Sequence, residues 1–115
     1  MRYLLFCFNI IFVACTPKTQ LDPKAYNINV LYEKPLNCKI LGREIGQKVD
    51  TMGSMSLLEL RESSFNDLKN KASRLDGDTL YILNMEKGWN SFWDSTEYII
   101  EGEVYSCKGL KNNRE

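Results

Sequence analysis

The chain has 115 residues, 15 Lys and Arg against 15 Asp and Glu, and no histidine. That length suits one small domain and leaves no room for two, and the even charge balance gives no sign of a nucleic-acid partner. Without histidine the usual general base, metal ligand and pH switch are missing, so Ser-His-Asp and Cys-His catalysis are excluded.

The first fifteen residues read "MRYLLFCFNIIFVAC". Arg2 gives a positive start, and Tyr3 to Ala14 is apolar apart from Asn9. Twelve helical residues reach roughly 18 Å, against about 30 Å for a bilayer core. The run is too short for an ordinary transmembrane helix and fits the apolar region of a signal peptide, expected over residues 1–14. Its last four residues, "FVAC", resemble the lipobox of bacterial lipoproteins. In those proteins small side chains let the peptidase cut before the cysteine, which carries a diacylglycerol. The resemblance implies lipidation at Cys15 and a membrane contact through that lipid. Thr16 follows where an Asp would retain enterobacterial lipoproteins at the inner membrane. The expected address is therefore the outer membrane, facing the periplasm.

Residues 16–26, "TPKTQLDPKAY", are polar and hold two prolines. They read as an extended tether, placed with the lipidated cysteine over residues 15–27. A domain is expected over 28–108. "INVLYEK" alternates, with Ile28, Val30 and Tyr32 on one face, and predicts a first strand that Pro35 ends or makes an edge. "CKILGREIG", Cys38 to Gly46, predicts a second strand, with a bulge or close backbone approach at Gly42. "QKVDTMGSM" reads as a loop. Ser56 and Glu59 match a capping box. The apolar stripe Leu58, Phe65, Leu68, Ala72 and Leu75 predicts a helix ending near Leu75. "TLYILNM" from Thr79 predicts a short buried strand, "EKGWNSFWDS" a loop or hairpin tip, and "TEYIIEGEVYSCKG" a long last strand. Residues 109–115 read as a polar tail. The order strand-strand-helix-strand-strand predicts an α+β domain: a small mixed or antiparallel sheet of about four strands with one helix packed on it.

Cys38 opens the second strand and Cys107 closes the last. In an oxidising compartment they are expected to pair, closing a loop worth roughly 4 kcal/mol in the chain-entropy account. Two free thiols or a metal pair are the alternatives, and two thiols without histidine do not make a closed zinc site. Asp76 and Asp78 flank a glycine, but "DGDTLYILNMEK" has glycine second and lysine twelfth. That does not fit a calcium loop and reads as a helix-ending turn. Trp89, Phe92 and Trp93 form a candidate partner contact, or else fold over the end of the core. Glu97, Glu101 and Glu103 alternate on the last strand and read as a solvent face. Lys69, Lys71 and Arg74 read as a solvated helix face.

"LNCKILGREIG", "DLKNKASRLDGDTLYIL" and "GEVYSC" together resemble a group of small bacterial lipoproteins of unknown function. The likeness runs from about Val30 to Cys107. The group is similar in outline to the lipoprotein that senses outer-membrane damage in the Rcs stress pathway. It also resembles a small α+β fold found in proteins labelled heavy-metal-binding. The resemblance implies a fold and an address, with Asp76 in the turn position that glycine occupies in the group. All of this predicts a non-catalytic envelope lipoprotein, without cofactor or metal, whose domain binds envelope proteins or senses envelope state. The alternative is a lipoprotein that holds a small ligand or metal beneath the aromatic segment.

Overall fold

Four strands and one helix make up the fold: β1 (Asn29–Leu31), β2 (Lys39–Asp50), α1 (Leu57–Arg74), β3 (Thr79–Asn90) and β4 (Ser95–Ser106). The computed structural model describes residues 18–51, 55–90 and 95–107. The expected signal peptide, Cys15 and the polar tail lie outside these residues. The sheet is mixed, in the order β1-β3-β4-β2. β4 runs antiparallel to β2 and β3, while β1 joins the edge of β3 in parallel. This is the α+β architecture the sequence predicts.

α1 starts where its capping box predicts. Ser56 Oγ accepts from Glu59 N at 3.1 Å, and Glu59 Oε1 accepts from Ser56 N at 3.0 Å. Both of these amides would otherwise face the helix end unpaired. At the other end Asp76 adopts φ 62°, and Gly77 N donates back to Ala72 O at 3.0 Å. That left-handed turn reverses the chain into β3 and satisfies a terminal carbonyl.

The helix lies on β2 and β4 and buries Leu68 and Ala72 against Leu80, Ile82, Ile100 and Val104, with Leu60 also buried near its start. The expected stripe is only part of this core: Leu58 at its upper end is 69% exposed. Close packing depends on Gly46. A Cβ built there would lie 2.5 Å from Leu68 Cβ and 2.8 Å from Leu68 N, and would also strike Ser64 O. Ser64 Oγ can therefore reach Tyr98 O at 2.9 Å and Leu60 O at 3.0 Å. A bulge interrupts the β2–β4 register between Ile40 and Gly42, where the sequence places one.

Two segments read as loops are strand. Gln47–Asp50 continues β2, paired with Thr96–Ile99, and Glu86–Asn90 continues β3, paired with Ser95–Ile99. Their polar sequences lack the strand signature because this part of the ribbon is mostly solvent-facing. Backbone pairing, not burial, extends it. The first strand is shorter than "INVLYEK" suggests, because only Asn29–Leu31 finds a partner edge.

The residues read as a tether are also corrected from Thr19 onward. They run along α1 in the same direction as the helix, form a 3-10 turn at Pro23–Ala25, and bury Ala25 completely. Prolines and polar side chains hide this docking, because the helix holds the segment mainly through its backbone.

Valine normally suits a strand better than glycine. Gly46→Val is nevertheless expected to destabilise the fold by roughly 2–3 kcal/mol through overpacking against α1. Gly88→Val, where a Cβ meets nothing within 4 Å, should be neutral or stabilising. Urea denaturation of the two variants checks the contrast.

Candidate interaction surface

The helix carries an unusual set of buried polar residues: Ser63, Ser64, Asn70 and Ser73. Three side chains on its outer flank clasp the N-terminal segment. Thr19 N donates to Ser63 Oγ at 3.3 Å, and Asn66 Nδ2 donates to Thr19 O at 3.0 Å. Asn70 Nδ2 donates to Gln20 O at 2.8 Å, while its Oδ1 accepts from Asp22 N at 2.8 Å. Asn66 and Asn70 are one turn apart, so their amides face the same strip of chain. Each pairs with a backbone group that a strand would otherwise satisfy. Ion pairs frame the clasp: Lys18–Glu59 at 2.7 Å above, Arg74–Asp22 at 4.0 Å and Lys24–Asp76 at 2.8 Å below. Sequence reading missed the clasp. Asn at helical spacing beside a polar segment was its one visible trace.

Electrostatics tighten the upper end. The Lys18 ammonium and the Ser56 amide hold the Glu59 carboxyl well down, to about 2 from its ordinary 4.5. Lys18 is raised in turn by its bond to Glu59. At the lower end the Lys24 ammonium depresses Asp76.

Cys38 and Cys107 form a disulfide, with Cα atoms 4.5 Å apart. It ties the start of β2 to the end of β4, just below the Lys39–Ser106 pair. Asp78 reinforces the same end. Its Oδ1 accepts from Cys107 N and Thr79 Oγ1, each at 2.9 Å, and its carbonyl accepts from Asn29 N at 2.9 Å. Asp76 and Asp78 thus serve the helix-ending turn and the sheet edge. Among the described residues no group of three or more His, Cys, Asp or Glu is placed to hold a metal.

Of the aromatic segment, Trp89 is described, and Phe92 and Trp93 lie outside the described residues. Trp89 pairs with Thr96 on the last stretch of the β3–β4 ribbon and is 65% exposed, so it does not close over the core. With Val49, Gly88, Ser95 and Glu97 it lines a shallow hollow of about 270 Å³. A larger groove of about 480 Å³ lies between α1 and the β1 side, its apolar wall made by Leu21, Val30, Tyr32, Leu58 and Phe65. Arg61 stacks over Phe65 at 5.3 Å.

On the opposite sheet face, the glutamates do not simply face solvent. Arg43 pairs with Glu101 at 3.7 Å and Glu103 at 3.5 Å, and Tyr105 Oη donates to Glu103 at 2.8 Å. That bond raises the Tyr105 pKa. The basic helix residues are divided too: Lys71 bonds Ile45 O and Asp67, Arg74 pairs with Asp22, and Lys69 borders the groove.

These features define a small α+β domain closed by one disulfide, with a clasped N-terminal strap and exposed apolar side chains at its upper end. Residues 19–107 match the family described as a domain of unknown function, DUF4156, and the chain belongs to that family. The match begins at Thr19, the first residue of the clasp, and ends at Cys107, the second disulfide cysteine. It supports the resemblance to a family of unknown function and carries no link to the Rcs stress sensor. No curated protein matches the chain.

An ionised Glu59 contributes stability above its unfolded value of 4.5, and that contribution is lost as the pH falls toward about 2. The Glu59 carboxylate followed by NMR should titrate near the lower value, and Lys18→Ala should move its midpoint upward. Asn70→Ala removes both amide bonds at a buried position, and is expected to cost about 1–3 kcal/mol. Amide exchange should speed up at Asp22 ahead of the sheet.

Proposed function

We propose that this protein is a non-catalytic, lipid-anchored component of a bacterial cell envelope, attached through Cys15, whose disulfide-closed domain binds envelope proteins or reports the state of the envelope. The single observation that carries the reading is the Cys38–Cys107 disulfide, which ties the start of β2 to the end of β4. Such bonds persist in oxidising compartments and are rare in the cytosol. It agrees with the lipobox-like run ahead of Cys15. No helix of the described residues is long and apolar enough to cross a membrane, and in this proposal lipid on Cys15 supplies the attachment. Two or more acyl chains hold stably where one binds reversibly.

Thr16 after Cys15 supports an outer-membrane position facing the periplasm. The groove walled by Leu21, Val30, Tyr32 and Phe65 gives a partner an apolar seat. The same groove favours a second reading, a carrier of a small apolar ligand, since about 480 Å³ lies within the range of ligand sites.

Intact mass of the protein extracted from its native membrane, before and after reduction, tests the proposal. The expected mass is that of residues 15–115 plus acyl chains, gaining two hydrogens on reduction. An unlipidated full chain with free thiols would sink it. Crosslinking in cells from a photoreactive residue at Tyr32 separates the two readings: protein adducts favour the envelope partner, and none favours the ligand carrier.

A further inference from the structure

The structure places Lys18, where the described chain begins, and the exposed Trp89 at the same end of the domain. Lys18 Nζ lies 2.7 Å from Glu59 in the first turn of α1, and Thr19 N is bonded to Ser63. The start of α1 is tied to the end of β2, where Asp50 Oδ2 accepts from Met55 N at 3.0 Å. Asp50 pairs with Thr96, and Thr96 pairs with Trp89. Strap entry, helix start, the end of β2 and Trp89 therefore share one end of the sheet. The disulfide marks the other, 12 strand residues away along β4 and so roughly 35–40 Å distant.

From Cys15 to Thr19 is four residues, which span at most about 14 Å. A lipid on Cys15 would hold this end within that distance of the bilayer. The end is suitably built. Leu57 is 51% exposed, Leu58 69% and Trp89 65%. Leucine enters the acyl boundary, while tryptophan, apolar with one polar N–H, prefers the headgroup level. Three such side chains would bind a bilayer weakly alone. A short leash makes the contact intramolecular and raises its effective concentration.

We infer that the α1-start end of the domain, with Leu57, Leu58 and Trp89, rests on the lipid bilayer that anchors Cys15, so that the disulfide end points away from the membrane. The clasp enforces the orientation by removing residues 19–26 from the leash. A tether of the length read from sequence would let the domain tumble freely. The inference rests on the lipidation proposed above.

The test uses the full protein purified from its membrane, with acylation first established by intact mass. Trp93→Phe leaves Trp89 as the only tryptophan, since the chain has two. The variant is placed in vesicles of phosphatidylethanolamine and phosphatidylglycerol carrying brominated acyl chains. The expected result is loss of most Trp89 emission to the bromolipid, with a blue shift and shielding from acrylamide. Leu57→Glu with Leu58→Glu should restore acrylamide access with unchanged far-ultraviolet circular dichroism. An acylated protein whose Trp89 is unquenched by bromolipid and open to acrylamide overturns the inference and leaves the anchor standing. An unacylated protein overturns the anchor and the inference together. Should Trp93→Phe not fold, the unsubstituted protein decides: complete absence of bromolipid quenching overturns the inference.

Discussion

The interaction on which the rest depends is made by one buried amide. Asn70 donates to Gln20 O and accepts from Asp22 N, both at 2.8 Å. A buried amide left without partners would be a heavy penalty, so the segment must be in place for the helix to be stable as it is. With the strap fixed, Ala25 and Ile28 enter the core beside Leu68 and Leu80. β1 can then add to the edge of β3, and the groove between Tyr32 and Phe65 acquires its second wall. The helix thus works on two fronts: its inner face packs on glycine-floored strands, and its outer flank grips a strap.

That arrangement gives the domain two unlike ends. At one, Asp78, the left-handed Asp76 turn and the disulfide knot together β1, β2, β3 and β4. At the other, the sheet continues as a ribbon, the helix begins, and Leu57, Leu58 and Trp89 are exposed. A closed end suits a position that must hold its shape in an oxidising compartment. An apolar open end suits a surface that is covered in use. The proposed anchor and orientation draw on this polarity.

Elements whose signals are local could be read directly from the chain. Ser56 and Glu59 marked the helix start, Asp76 its end, and the alternation from Thr96 to Cys107 the last strand. Cys38 and Cys107 sat at strand ends that a simple α+β order brings together. The tertiary structure alone decided three other things. Polar ribbon residues such as Glu86 and Lys87 became strand because a partner backbone was available, and pairing leaves no periodic trace in side chains. Residues 19–26 became strap instead of tether because amides on a helix more than forty positions away accept and donate to their backbone. Which end of the domain holds both Trp89 and Lys18 follows from the direction in which strap and helix run. That direction is set by contacts among distant residues, and no local pattern encodes it.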